Sequence, residues 1–134
     1  MTFIDAVKSA YSNYFRFSGR ATRSEFWWFW LFCLLTEWAL TLIFGTVFVE
    51  TSPGTFAVQA NAGVIGGLWT LFNVIPGLSV GCRRLHDTDR SGWWQLLFLV
   101  PLIGGIILII MWASRGTPYT NRFGSDPLGR DLRT

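Results

Sequence analysis

Apolar residues gather along this chain into three long runs, Phe26 to Phe48, roughly Phe56 to Cys82, and Trp93 to Trp112. About 20 mostly apolar residues cross about 30 Å of hydrocarbon, and each run reaches that length. Three such runs in 134 residues leave no polar exterior to cover them as core helices. The pattern therefore predicts an all-α integral membrane protein with a three-helix transmembrane bundle. Between the second and third runs lies a polar island, Arg83 to Gly92, with five charges (Arg83, Arg84, Asp87, Asp89, Arg90) and the only histidine, His86. So flanked, the island is expected at a membrane surface.

The flanking segments fit one domain over residues 1–134. Residues 2–15 read as a short amphipathic helix, with Phe3, Val7, Ala10 and Tyr14 on one face and Asp5, Lys8, Ser12 and Asn13 away from it. Thr2 with Asp5 can cap it. Such a helix lies in the headgroup plane or packs on the protein's own loops. Thr22-x-x-Glu25 reads as a capping box opening the first span, and Trp27, Trp28 and Trp30 follow as an aromatic belt. The connector Val49 to about Thr55 has turn chemistry at Ser52-Pro53-Gly54. In the second run Gly63, Gly67, Thr70, Asn73, Gly77 and Gly81 form a small or polar stripe that lets helices approach closely. Pro76 removes a hydrogen bond to the carbonyl of Phe72 and predicts a kink, with Asn73 as a local donor. Pro101 and Gly104-Gly105 interrupt the third run, which reads as a kinked span or a re-entrant segment. The Trp at each end favours the span. Residues 113–134 are rich in Gly, Pro and Asp and predict a loop-rich tail.

Charge sharpens this picture and introduces a conflict. Lys and Arg number four in residues 1–25, none in 49–62, three in the island and four in the tail. Positive-inside places the N-terminus and the island in the cytoplasm; three full spans would then put the basic tail outside. The flanking Arg suit anionic headgroups, and there is no soluble basic face for nucleic acid. Cys33 and Cys82 sit within apolar runs, away from any disulfide framework, and read as small buried side chains. One His and two distant Cys do not suggest zinc, and no cofactor is indicated. The polar first 25 residues and the length of the first run argue against a cleaved signal peptide.

Three segments carry a resemblance: Phe17-x-Gly19-Arg20-x-x-Arg23-x-Glu25-Phe26-Trp27, Arg83-Arg84-Leu85-His86-Asp87-x-x-Arg90-Ser91-Gly92-Trp93-Trp94, and Asn121-Arg122-Phe123-Gly124-x-Asp126-Pro127. In order and spacing the chain resembles the small bacterial inner-membrane proteins of the domain-of-unknown-function 805 family. The resemblance implies a multi-pass protein of the bacterial inner membrane. It brings no activity and no catalytic residues, and Glu37 is not part of it.

The candidate residues fall into two groups. Arg20, Arg23, Arg83, Arg84, His86, Asp87, Arg90 and Arg122 could form a site for lipid headgroups or a membrane partner, because guanidinium forks match phosphate oxygens. The competing reading of the island is a self-satisfied turn: Arg84 and Arg90 paired with Asp87 and Asp89, Thr88 or Ser91 capping the next helix, and His86 bonded to backbone. Glu37, at the midpoint of the first run, and Asn73 are intramembrane polar groups. A charge there costs roughly 3 kcal/mol on insertion scales, so Glu37 is expected to be protonated or paired. The sequence thus favours a non-enzymatic accessory membrane protein that engages anionic lipids, a membrane partner or a second copy of itself. The alternative is a subunit of an oligomeric transporter or channel using Glu37.

Overall fold

The computed structural model describes residues 1–130. It comprises two compact units, Met1–Trp30 together with the residues from Ile75 onward, and Leu31–Val74. In chain order the elements are α1 (Phe3–Ser12), α2 (Arg23–Phe44), β1 (Thr46–Ser52), β2 (Thr55–Asn61), α3 (Gly63–Asp87), a 3₁₀ segment (Gly92–Leu99) and α4 (Ile103–Ala113). Two helices, α2 and α3, are long and apolar enough to cross a membrane, each with a mean hydropathy of 1.5.

In the first unit, α1 starts where its side chains can cap it: the Thr2 hydroxyl accepts from the Asp5 amide at 3.2 Å. Ala6 and Ala10 are fully buried, and the small face they make lets Phe3 meet Trp28 and Tyr11 meet Phe29 edge to face. One face of this helix packs on the protein's own residues, while Met1, Ile4 and Phe15 stay exposed. The Thr22 hydroxyl likewise accepts from the Glu25 amide at 3.2 Å and starts α2. The reciprocal half of the capping box is not made, because the Glu25 carboxylate turns to Ser9 and Arg83.

The second unit corrects the all-α expectation. The helix predicted to run to Phe48 ends at Phe44, and residues 46–61 form an antiparallel β-hairpin with Val49 opposite Val58 and Ser52 opposite Thr55. β-Branched and aromatic residues (Thr46, Val47, Phe48, Val49, then Thr55, Phe56, Val58) favour the pleated backbone, and short apolar runs look alike as helix or strand. The predicted turn is where it was expected, with Pro53 fixing φ and Gly54 supplying a φ of +87°. Between the helices, the Trp69 indole donates to Thr36 Oγ1 at 2.9 Å. Asn73 donates to the Trp69 carbonyl at 2.9 Å, one turn earlier than the carbonyl freed by Pro76.

The third run is not one continuous helix but a 3₁₀ segment followed by α4, so two helices rather than three are long enough to span. Ser91 caps the 3₁₀ segment through the Trp93 amide at 3.4 Å. The chain then reverses at Val100–Ile103, where Leu102 has a φ of +63° and the Ile103 amide donates to the Pro101 carbonyl at 2.7 Å. This is a γ-turn in its rare, strained form. Pro101 has no amide hydrogen to satisfy, and the Val100 and Leu102 carbonyls accept from Gly104 and Ile106. These bonds engage the Val100, Pro101 and Leu102 carbonyls while Leu99, Leu102 and Ile103 are exposed. Helix α4 has 11 residues, about 16 Å at 1.5 Å per residue, half the hydrocarbon thickness. Its end returns to α3: Trp112 is buried, and its indole donates to the Gly81 carbonyl at 3.2 Å. Trp112 is thus an internal packing residue rather than a far-side anchor, and the third run leaves and re-enters one polar assembly.

Gly104 permits that return, since a Cβ there would collide with the Leu97 carbonyl. Gly104→Val is expected to cost more than about 2 kcal/mol, as overpacking does. Leu102→Gly, which removes the positive-φ penalty, should stay within about 1 kcal/mol of wild type. Thermal unfolding in detergent distinguishes the two; equal losses would contradict this geometry.

Candidate functional site

Asp87, the last residue of α3, gathers the polar residues of the first unit. Its Oδ1 accepts from Arg20 Nε at 2.9 Å and its Oδ2 from Arg84 at 2.5 Å. All three side chains are at least 96% buried, with relative exposures of 1%, 0% and 4% for Arg20, Arg84 and Asp87. The remaining guanidinium donors go to backbone carbonyls. Arg20 reaches those of Tyr119 at 2.8 Å, Gly124 at 3.2 Å and Thr117 at 2.5 Å. Arg84 reaches Trp112 at 2.8 Å, Ala21 at 3.4 Å, and Ser114. The Asp87 carbonyl itself accepts from the Thr117 amide at 2.8 Å. Gly116 is required beside it, because a Cβ there would overlap the Asp87 carboxylate.

A second pair lies alongside. Arg83 donates to Glu25 Oε1 at 2.8 Å, and that oxygen also accepts from Ser9 at 2.8 Å. Arg83 Nε and Nη2 are buried without a hydrogen-bond partner among the described residues. In the tail Asp126 accepts from the Arg130 guanidinium at 2.7 Å and from the Leu128 and Arg130 amides. The bond from Arg130 above all holds its carboxyl well below the usual carboxylate range, so it stays ionised.

His86 points elsewhere. Its Nδ1 is 2.9 Å from the Gly19 carbonyl, its Nε2 is 3.6 Å from Cys82 Sγ, and its ring stacks on Phe123 with centroids 3.9 Å apart. Arg122 covers the other partner of that stack, 4.7 Å from the Phe123 centroid, and pairs with Asp89 at 3.3 Å. His86, Asp87 and Asp89 therefore do not converge. Among the described residues no group of three or more potential ligands forms.

The island is thus mostly interior: Arg83 to Asp87 are buried residues of α3 rather than a surface loop. Arg20 and Arg84, expected to meet phosphates, have their donors occupied by the protein. Arg84 pairs with Asp87 and Ser91 caps the next segment, as the self-satisfied reading expects, but Asp89 pairs with Arg122 instead of Arg90. Arg23 is exposed and Arg90 half-buried; neither makes an ion pair among the described residues. Cys82 was read as inert filler, and its contact with His86 follows the i,i+4 spacing on α3. Glu37 and Asn73 belong to the second unit. Because α2 stops at Phe44, Glu37 lies two turns from its end rather than at mid-span. It accepts from Thr70 at 3.2 Å and lines two cavities of about 470 and 410 Å³, both shared with Asn61.

Removing one charge from a buried network leaves the others uncompensated, at roughly 3–5 kcal/mol. Asp87→Asn should lower stability by an amount of that order, whereas Asp89→Asn, at an exposed pair, should change it by less than about 1 kcal/mol. Thermal unfolding or protease resistance in detergent reads the difference. Similar effects of the two variants would contradict an organising role for Asp87.

The model of the family described as "Protein of unknown function (DUF805)" matches residues 14–125, a stretch that includes Arg20, Arg83, Arg84, His86, Asp87 and Arg122. The chain is 40% identical over 115 residues to the inner membrane protein YhaH of Escherichia coli strain K12, covering 86% of this chain and 89% of that one. To the inner membrane protein YhaI of the same strain it is 39% identical over 119 residues, covering 89% and 92%. No solved structure matches it. With two helices suited to spanning and relatives named for the inner membrane, this is a multi-pass protein of the bacterial inner membrane. It belongs to the DUF805 family.

Proposed function

We propose that this protein is a non-enzymatic accessory component of the inner membrane that engages anionic lipid headgroups. The observation that carries this reading is a division of labour among its cations. Arg20 and Arg84 are consumed by Asp87 and backbone carbonyls. Lys8, Arg16, Arg23 and Arg115 are exposed and have no ion pair among the described residues. Arg23 lies one helical turn before the exposed Trp27, followed by the exposed Trp28 and Trp30. Cations beside an aromatic belt suit headgroup level, where a basic residue gains about 1 kcal/mol from an anionic surface. All these cations belong to the unit held by Asp87, and positive-inside then assigns that unit to the cytoplasmic face.

Arg16→Ala combined with Arg23→Ala should reduce co-purifying phosphatidylglycerol several-fold without lowering thermal stability. Undiminished phosphatidylglycerol in the double variant would sink the reading.

A second reading has its own observation. The Glu37 carboxylate between two cavities supports a subunit of an oligomeric transporter or channel. There Glu37→Gln alters ion flux in reconstituted vesicles; unchanged flux removes it.

A further inference from the structure

A cavity of about 520 Å³ opens in the first unit between Phe17, the end of α3 and the 3₁₀ segment. Leu78, Trp93, Leu96 and Phe17 supply apolar wall, while Cys82, His86 and Gln95 supply a polar side. Its walls are tied together rather than merely adjacent. The Gln95 amide donates to the Leu78 carbonyl at 3.1 Å, fixing the 3₁₀ segment to α3. The Cys82 thiol donates to the Phe17 carbonyl at 3.4 Å, and His86 Nδ1 meets Gly19. Gly92 lies against Cys82 so closely that a Cβ would overlap the sulfur. A preformed, mainly apolar cavity of several hundred Å³ with a few convergent polar groups is the usual form of a small-molecule site.

We propose that this cavity takes one acyl chain of an anionic phospholipid from the surrounding bilayer. The apolar wall comes partly from Trp93 and Leu96, exposed residues of an apolar 3₁₀ segment in an inner-membrane protein, a setting in which acyl chain is the apolar ligand at hand. Charge complementarity selects the headgroup. Arg16 and Arg90 are the chain neighbours of the lining residues Phe17 and Ser91, and neither has an acidic partner among the described residues. Guanidinium groups this near in the chain to the lining, without a carboxylate partner, suit a phosphate rather than a neutral headgroup. This proposal rests on the lipid-engagement reading and gives it a defined site.

The test uses the full chain in nanodiscs containing phosphatidylglycerol with a photoactivatable diazirine at mid-chain, followed by peptide mass spectrometry. Adducts are expected to concentrate at Phe17, Leu78, Trp93 and Leu96. They should fall at least about fivefold, equivalent to about 1 kcal/mol, in Leu96→Trp, which plugs the cavity from an exposed position, and in a second plugging variant, Leu78→Trp. A phosphatidylcholine probe should label these positions about fivefold less. Even labelling over all outward apolar residues, no effect of either plug, or equal labelling by the choline lipid would overturn the proposal. Co-purified phosphatidylglycerol, measured in parallel, separates the two claims. If it persists in the plugged variants and drops in Arg16→Ala with Arg23→Ala while the cavity goes unlabelled, only the acyl site fails.

Discussion

One carboxylate holding two buried guanidinium groups is the constraint on which the first unit depends. Asp87 sits at the end of a helix long enough to cross a membrane, and it and its near neighbour Arg84 reach distant parts of the chain. Arg20 brings the segment before α2; Arg84 brings the end of α4 through Trp112 and Ser114. Each guanidinium faces a carboxylate and is hydrogen-bonded, Arg20 lying also 3.7 Å from Asp126, the condition under which charges can be buried at all. Either Arg alone would leave a buried charge uncompensated, and so would Asp87 alone.

That constraint resolves the conflict in the charge pattern. A tail tied to the same carboxylate as the N-terminal segment cannot sit across a membrane from it. The third run must therefore return, and the γ-turn at Leu102 with the close approach at Gly104 is how it does so. Basic residues before α2, at the end of α3 and after α4 then share one face, as the positive-inside bias prefers.

Much of the local structure was legible because it depends on neighbouring residues. The caps at Thr2, Thr22 and Ser91 and the turn at Pro53-Gly54 need only nearby side chains and backbone. The small stripe was half legible: Gly77 and Gly81 lie against Trp30 and Trp112, while Gly63 and Gly67 have nothing within 4 Å. What was hidden depends on partners remote in sequence. Phe48 and Phe56 look equally apolar in a helix or a strand, and Trp112 looks like an interface anchor until Gly81 accepts its indole hydrogen. Arg20 and Arg23 look alike in sequence, yet one is spent on Asp87 and the other faces outward. The motifs that carry the family resemblance thus serve largely to hold the unit together.

Side-specific labelling in intact cells tests the central claim most directly. With Cys33 and Cys82 replaced, single cysteines are placed at Ser18, Ser91 and Ser125 and exposed to a membrane-impermeant maleimide before and after permeabilisation. An assembly organised by Asp87 predicts that all three label from the same side. Labelling of position 125 from the face opposite to 18 and 91 would mean that the third run crosses the membrane, and the account built on Asp87 would be wrong.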